Sequence, residues 1–262
     1  MGDDSIGSAL ARGLAGRTVL VTGASSGLGA HFAKLYARHG AHVQVAARRL
    51  ERLDALRSEI AAAGGSVGTY ALDVSDPASI DALFEELTGA NAVPDVLVNN
   101  AGIASTALSL DVGDDDWQAT IDTNLTGVFR VARTAAKAML AAGKGGSVIN
   151  IASILGLRVA AGLVPYAVSK AGVVQMTKAL ALEWARHSIR VNAVAPGYFE
   201  TEINAGYFRT EAGAAMLKRI PQRRIGRIEE LDGVMLLLAS DASSYMTGSV
   251  VAVDGGHLVS GL

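Results

Sequence analysis

A tyrosine and a lysine stand four positions apart in the second half of the chain, at Tyr166 and Lys170. If this stretch is helical, the two side chains lie one turn apart on the same face. A lysine ammonium next to a phenol favours the phenolate and so predicts a tyrosine pKa below its usual value of about 10. Such a tyrosine can give or take a proton near neutral pH. The Ser153 hydroxyl is a candidate to hold a carbonyl oxygen for it to protonate.

A glycine-rich loop near the start of the chain is the second chemical feature. Gly23, Gly27 and Gly29 follow an apolar run, Thr18 to Val21, and precede a predicted helix. Glycines let the backbone turn tightly and approach a pyrophosphate, which then meets the N-terminus of the helix. The spacing matches neither the G-x-G-x-x-G pattern nor a P-loop. An ordinary glycine-rich turn between a strand and a helix therefore stays open as the alternative.

The residues at the end of the second predicted strand indicate which dinucleotide the glycine loop would bind. Dinucleotide sites usually carry an acidic residue about 20 positions after the loop, where it binds the ribose hydroxyls. This chain has Arg48 and Arg49 there instead. An arginine pair can bind a ribose 2′-phosphate, which favours NADP(H) over NAD(H). The alternative is a solvated basic helix start, which is unfavourable beside the helix dipole unless an anion is present.

The composition argues against several other classes of protein. The 262 residues carry a net charge of −2, which disfavours a nucleic-acid or anionic-membrane surface. There is no cysteine and no H-x-x-x-H spacing, so a metal site is not expected. No apolar run reaches the length of about 18 residues that suggests a membrane span, and the first residues lack the features of a signal peptide. We therefore expect a cytoplasmic protein.

The elements that must position these residues follow from the hydrophobic pattern. Short, almost continuous apolar runs alternate with longer amphipathic stretches, as is typical of strands covered on both faces. This predicts an α/β fold: one doubly wound Rossmann-type domain over 16–262, with a mostly seven-stranded parallel sheet flanked by helices. Residues 1–15 are expected to form a short flexible leader. The predicted helices cover residues 28–39, 49–63, 114–141, 165–187, 201–218 and 229–239, and Asp76-Pro77 opens a further helix.

Taken together and in this order, these motifs resemble the classical short-chain dehydrogenase/reductase family over about residues 16–257. The matching pieces are Thr22-Gly23-x-x-x-Gly27-x-Gly29, Asp73, Asn99-Asn100-Ala101-Gly102, Asn124, Ser153, Tyr166-x-x-x-Lys170 and Pro196-Gly197-x-x-x-Thr201.

The resemblance implies four catalytic residues. Tyr166 would protonate a ketone oxygen as hydride arrives. Lys170 would lower the pKa of that tyrosine and hold the nicotinamide ribose. Ser153 would hydrogen-bond the substrate oxygen. Asn124 would bend its helix and hold a water molecule in a proton relay to Lys170.

The resemblance also implies a set of cofactor-binding residues. Asp73 would contact the adenine and Asn100 would lie near the adenosine ribose, while the backbone around Pro196 would hold the carboxamide. The full set is Gly23, Ser25, Ser26, Gly27, Leu28, Gly29, Arg48, Arg49, Asp73, Val74, Asn100, Ala101, Gly102, Tyr166, Lys170, Pro196, Gly197, Phe199 and Thr201.

The substrate side is less well defined by the sequence. In the family this resembles, a lid over about residues 201–220 closes on the substrate. Its apolar members favour a bulky or apolar ketone, and the lone arginines Arg158 and Arg209 are possible anion contacts or simply solvated. The substrate residues we predict are Ser153, Leu155, Tyr166, Tyr198, Ile203 and Tyr207.

Three functions remain open from the sequence. The first hypothesis is the reversible, NADPH-dependent reduction of a ketone to a secondary alcohol. The second is an NAD-dependent dehydrogenase that oxidises a sugar, polyol or steroid alcohol, and the third is a non-catalytic dinucleotide-binding regulator. The resemblance further implies a homotetramer, joined through the helices predicted at 114–141 and 165–187.

Overall fold

A computed structural model describes residues 13–199 and 210–260 of the chain. Its centre is one sheet of seven parallel strands in the order β3-β2-β1-β4-β5-β6-β7. The strands are β1 Thr18–Thr22, β2 His42–Ala47, β3 Ser66–Ala71, β4 Val96–Asn99, β5 Gly146–Ile151, β6 Ile189–Pro196 and β7 Val250–Val253. The order reverses between β1 and β4, so the predicted doubly wound α/β fold is confirmed.

Helices cover both faces of this sheet. They are α1 Gly27–Arg38, α2 Leu50–Ala62, α3 Pro77–Gly89, α4 Asp114–Ile121, α5 Val128–Ala141, α6 Val164–Trp184, α7 Glu211–Leu217 and α8 Asp232–Ala239. Asp76 caps α3 through its side chain, as predicted, and Pro77 occupies the first turn. No helix in these two described ranges is long and apolar enough to cross a membrane.

The strands are buried on both faces because successive side chains point to opposite sides of the sheet. Val19 and Val21 lie in the core that α1, α2 and α8 complete. Leu20, between them, lies in the core that α3, α5 and α6 complete. This arrangement explains the continuous apolar runs that identify the strands in the sequence.

The helix predicted over residues 114–141 contains a local change of pitch. Between α4 and α5 the chain forms one π-helical turn, Asp122–Gly127, with the buried Asn124 inside it. Gly127 at the end of this turn lies against Val74, where an added Cβ would be 2.6 Å from the Val74 carbonyl oxygen. The wider turn is the bend that the resemblance implies at Asn124.

Two predicted segments fall partly outside the described residues. The leader over 1–15 and the lid over 201–220 stay predictions for residues 1–12 and 201–209. Leu14, at the end of the predicted leader, is fully buried, and Gly16 donates a backbone hydrogen bond to Gly40. Of the helix predicted over 201–218, the structure describes α7.

Candidate active site

The candidate site lies where the carboxyl ends of β1, β4, β5 and β6 meet. In doubly wound sheets this edge forms a crevice at the point where the strand order reverses. The loops that leave these four strands carry the glycine-rich segment, the segment from Asn100 to Gly102, Ser153 and Tyr198. Residues far apart in the sequence thus reach one region because parallel strands end at the same edge.

The glycine loop has the backbone conformation that only glycine adopts easily. Gly23 has φ +65 and Gly27 has φ +55, both in the left-handed region. A Cβ added to Gly29 would lie 2.5 Å from the Gly23 carbonyl oxygen, so the loop is tightly closed there. A Cβ added to Gly27 would meet nothing within 4 Å, so open space faces the N-terminus of α1. This space and the free N–H groups of the helix fit a pyrophosphate.

Asn100 holds the glycine loop against β4. Its side-chain nitrogen donates to the carbonyl oxygens of Thr22 and Gly23 at 3.1 and 3.2 Å. The backbone N–H groups of Asn100 and Ala101 both donate to the Thr22 hydroxyl, at 3.1 and 3.2 Å. The asparagine therefore fixes the shape of the loop as well as lying beside it.

The two arginines after β2 lie next to this loop and are exposed. Arg49 donates from Nη2 to the Ser25 hydroxyl at 2.9 Å and to the Ser26 hydroxyl at 3.2 Å. Arg48 lies near enough to Asp73 to contribute to its low pKa. The main cause of that low pKa is the Ser75 hydroxyl, which donates to the Asp73 carboxylate at 2.6 Å. A cationic surface thus borders the open end of the glycine loop.

Ser153, Tyr166 and Lys170 come together from two segments after β5. Ser153 caps a 3₁₀ turn, Ile154–Gly156, by accepting a hydrogen bond from the Leu155 N–H at 3.1 Å. Tyr166 and Lys170 lie one turn apart on α6, and the Lys170 Nζ atom is 5.7 Å from the centre of the Tyr166 ring. Lys170 is only 4% exposed and donates from Nζ to the Ile151 carbonyl oxygen at 2.8 Å.

The pKa values of this group differ from the prediction. Burial raises the pKa of Tyr166, and the hydrogen bond with Ser153 offsets only part of that rise. The predicted lowering was wrong because burial of the phenol outweighs the groups that favour its charged form. Burial lowers the pKa of Lys170 itself to about 8. Tyr166 is therefore protonated at neutral pH, and Lys170, whose pKa of about 8 lies above pH 7, is mostly an ammonium there.

Asn124 is fully buried beside Lys170. It accepts from the Ile103 N–H at 2.8 Å, donates to the Ile103 carbonyl oxygen at 2.8 Å and donates to the Ser169 hydroxyl at 3.2 Å. A Cβ added to Gly102 would lie 3.3 Å from Asn124 Oδ1 and 3.6 Å from Lys170 Nζ. The π-turn thus places this amide next to the lysine.

Sequence reasoning missed Ser169 and a chain of buried polar residues. Ser169 donates to the Tyr166 carbonyl oxygen at 2.7 Å while accepting from Asn124, and so links the two. Asn99 donates to the Asn150 side chain at 3.0 Å, and Asn150 donates to the Thr177 hydroxyl at 2.9 Å. The sequence gives one signal that could have found them: a hydroxyl or amide side chain inside an otherwise apolar strand or helix is buried and needs a hydrogen-bond partner.

The remaining predicted residues divide into two groups. Leu155, Phe199, Pro196 and Val74 are buried, and the Gly197 N–H donates to the Val253 carbonyl oxygen at 2.9 Å. Leu28 lies on α1 and packs partly into the core. The predicted residues Thr201, Ile203 and Tyr207 lie outside the described residues.

No metal centre emerges from residues 13–199 and 210–260. Among them, no group of three or more His, Asp or Glu side chains is arranged to hold a metal ion.

Comparison with known proteins identifies the class to which this fold and site belong. Residues 23–257 match the family described as enoyl-(acyl carrier protein) reductase. The chain belongs to the short-chain dehydrogenase/reductase family, as the motifs predict, and its relatives are oxidoreductases that act on CH–OH groups.

Three relatives show the range of this similarity. The chain is 42% identical to the 3-oxoacyl-[acyl-carrier-protein] reductase FabG of Thermotoga maritima, over 94% of this chain and 99% of the relative. It is also 42% identical to 3beta-hydroxysteroid dehydrogenase 1 of Eggerthella lenta, over 93% and 94%. The crystal structure of a gluconate 5-dehydrogenase from Burkholderia cenocepacia in complex with NADP and tartrate superposes with a TM-score of 0.91. That structure is 37% identical and covers 97% of this chain and 100% of its own.

Proposed function

We propose that this protein catalyses the reversible, NADPH-dependent reduction of a ketone to a secondary alcohol, with Tyr166 as general acid and base. The observation that carries the proposal is the connected group of Asn124, Ser153, Tyr166 and Lys170 at the carboxyl edge of the sheet. A protein that only senses a dinucleotide needs no proton donor, so this group argues against the regulator hypothesis.

The cofactor assignment rests on the glycine loop and its border. The open space at Gly27 and the N-terminus of α1 would hold the pyrophosphate, and Arg48 and Arg49 would bind the 2′-phosphate. A relative of the same fold has been crystallised with NADP, which supports NADP(H) here. When bound, NADP(H) supplies or accepts the hydride.

Side chains of this protein would transfer the proton to the substrate oxygen. In the reducing direction, Tyr166 donates its hydroxyl proton to the substrate oxygen, and the Ser153 hydroxyl donates a hydrogen bond to the same oxygen. The raised pKa of Tyr166 keeps this donor protonated at neutral pH. The negative charge left on Tyr166 would then be stabilised by the neighbouring Lys170 ammonium.

Lys170 and Asn124 would restore the proton. A lysine whose pKa is about 8 exchanges its proton readily near neutral pH. Asn124 and the Ile103 backbone supply polar atoms beside it, so we assign this end of the site to a proton relay.

The second candidate function is the NAD-dependent oxidation of a sugar, polyol or steroid alcohol. The similarity to a hydroxysteroid dehydrogenase and to a gluconate 5-dehydrogenase favours it. The arginines at positions 48 and 49 count against NAD, since an acidic residue usually binds the ribose hydroxyls there.

Two loops that follow β4 and Ser153 support a substrate with a bulky or apolar body. The segment after Gly102 and the segment before α6 are joined by a hydrogen bond from Ala107 N–H to the Gly162 carbonyl oxygen at 3.1 Å. They expose Leu108 and Val159 by 64% and 84%. Apolar side chains this exposed, on the loops that follow β4 and Ser153, suit an apolar ligand.

We further propose a homotetramer joined through α4, α5 and α6. Phe129 and Leu140 on α5 and Leu182 on α6 are exposed apolar side chains on two long helices. Burial of these side chains against a second copy would stabilise an oligomer. Sedimentation of the wild type and of Leu182→Glu tests this: a tetramer that dissociates in the variant supports it, and a wild-type monomer refutes it.

The experiment that tests the reaction is a titration with NADPH and NADH separately, followed by turnover with a panel of ketones. Tighter binding of NADPH with ketone-dependent oxidation supports the proposal. Binding of NADH alone, with oxidation of alcohols, supports the second candidate. Binding of either cofactor without any turnover would reject both enzymatic functions for the tested substrates.

A further inference from the structure

A cationic cluster lies beside the candidate active site, at the carboxyl ends of β6 and β7. We define it as Arg158, Arg219 and His257. Arg158 follows the 3₁₀ turn that Ser153 caps, and its N–H donates to the Ile154 carbonyl oxygen at 2.9 Å. His257 follows β7 and is only 6% exposed. The cluster is therefore built from the segment after the proposed catalytic serine and from the end of the described chain.

The guanidinium of Arg158 is fixed by neutral groups. Its Nη1 atom donates to the His257 carbonyl oxygen and, at 3.3 Å, to the Ser260 hydroxyl. None of the ion pairs formed within residues 13–199 and 210–260 involves Arg158. A half-buried, orientated guanidinium without a carboxylate partner among the described residues keeps its charge available for an anion.

The rest of the cluster does not neutralise this charge. The titratable groups near His257 are Arg158, Arg219, Asp254 and the Tyr198 ring. Within the described part of the chain the acid among them is Asp254, and its two oxygens already accept from the Gly256 N–H at 2.9 Å and the Leu258 N–H at 2.5 Å. Burial, followed by Arg158 and Arg219, lowers the pKa of His257, so the imidazole is neutral at pH 7. Near His257, the positive charges of Arg158 and Arg219 therefore exceed the negative charge of Asp254.

The cluster is connected to the proposed proton donor through Tyr198. The rings of Tyr198 and His257 are 5.6 Å apart and tilted by 36°. Tyr198 is also close enough to Tyr166 to raise its pKa slightly. Tyr198 thus connects the proposed proton donor with His257, the residue whose carbonyl oxygen holds Arg158.

We propose that Arg158 binds a carboxylate of the substrate, and that the substrate of the reaction proposed above is consequently an oxo acid. A planar guanidinium matches a carboxylate and can donate two parallel hydrogen bonds to it. His257 acts as a positioning residue: its backbone holds Arg158 and its ring supports Tyr198. The apolar side chains around the site contact the carbon chain between the two polar ends.

The experiment compares free oxo acids with their methyl esters, using wild type, Arg158→Gln and Arg158→Lys with NADPH. The acids are pyruvate, acetoacetate, levulinate and 5-oxohexanoate, which place the ketone at increasing distance from the carboxylate. At the best spacing we expect kcat/KM for the acid to exceed that for its ester about tenfold or more, since hydrogen bonds between charged groups are the strong ones. Arg158→Gln should remove this preference and leave the ester within about threefold.

The matched control is Arg186→Gln, which changes an exposed arginine away from the site. It should leave both acid and ester kinetics unchanged. Arg158→Lys should recover part of the acid preference because the charge is kept. A loss of acid and ester activity together in Arg158→Gln would show a merely structural role and overturn the inference.

Two further outcomes separate this inference from the proposed function. Turnover of ketones and esters with no preference for any acid would reject the carboxylate site and keep the ketone reductase. If no substrate is turned over, calorimetry of levulinate binding to the NADP⁺ complex decides. Binding that Arg158→Gln abolishes would keep the anion site and reject the reductase, and the absence of binding would reject both.

Discussion

Two ion pairs at the amino edge of the sheet contrast with two charges at the carboxyl edge that are bound only by neutral groups. At the amino edge, Lys144 binds the Asp95 carboxylate at 2.7 Å and Arg17 binds Asp241 at 2.5 Å. At the carboxyl edge, Lys170 and Arg158 form no ion pair with any residue of the described ranges.

This difference separates charges that stabilise the fold from charges held for function. Paired charges need no ligand, and their removal affects stability alone. A lysine buried without a carboxylate lowers stability, so its retention points to a role that outweighs the cost. The comparison makes four predictions, in which changes at the carboxyl edge affect chemistry and changes at the amino edge do not.

The largest effect is expected from Tyr166→Phe, which removes the proposed proton and little else. Turnover of the ketone should fall by about 10²–10⁴-fold, while the Kd for NADPH stays unchanged. Tyr245→Phe is the control, because Tyr245 is a fully exposed tyrosine that lines a cleft at the amino edge. Normal turnover in Tyr166→Phe would end the mechanism proposed above.

Arg48→Ala should weaken NADPH binding about 10- to 100-fold and NADH binding less than about threefold. The reason is that only NADPH carries the 2′-phosphate. Fluorescence titration with each cofactor measures the two Kd values. Arg52→Ala serves as the control, because Arg52 is an exposed arginine nearby in the chain, in α2. Equal losses for the two cofactors would remove the basis for the NADP(H) assignment.

Lys170→Met should inactivate the enzyme and yet raise the free energy of unfolding at pH 7 by roughly 1–3 kcal/mol. The pKa of Lys170 in the folded protein is about 8, below its usual value. Between about pH 8 and pH 10 the unfolded chain still holds a proton that the folded protein has released, so the wild type gains stability as the pH rises. The advantage of the variant should therefore shrink over that range.

Urea denaturation of both proteins between pH 7 and pH 10 measures this difference. Lys178→Met is the control, since Lys178 is exposed on the same helix and should show no such pH dependence. A destabilised Lys170→Met whose deficit does not change with pH would contradict the idea that the buried ammonium is costly.

The smallest effect is expected at the amino edge. Asp95→Asn removes the ion pair with Lys144, whose partners are each about one-third exposed. Partly exposed pairs contribute little, so the free energy of unfolding should fall by less than about 1 kcal/mol with kcat and KM unchanged. A large loss of activity would break the proposed division between the two edges.

Much of the fold and part of the site could be predicted from local patterns. The continuous apolar runs indicate a parallel sheet because each strand is covered on both faces, and Asp76-Pro77 marks a helix start. Gly23 and Gly27 have the positive φ angles that a tight loop before α1 needs. These features depend on neighbouring residues, which the sequence displays directly.

The predictions failed or were silent where the answer depends on distant residues. The direction of the Tyr166 pKa shift was wrong because burial of the phenol, which depends on the packing of distant segments, raises the pKa. Ser169 was missed because its importance lies in its bond to Asn124, on another helical segment. The cluster around Arg158 was visible only as a lone arginine, since its partner His257 is 99 positions away.

By itself, then, the sequence determined which chemical groups this protein has, the order of its strands and helices along the chain, and the family to which it belongs. Local spacing and hydrophobic pattern are sufficient for these. Only the tertiary structure decided which charges are paired, which are buried alone and which side chains meet at the carboxyl edge of the sheet. The physical reason is that desolvation and electrostatic interaction depend on distance in space, and packing of the sheet against its helices sets those distances.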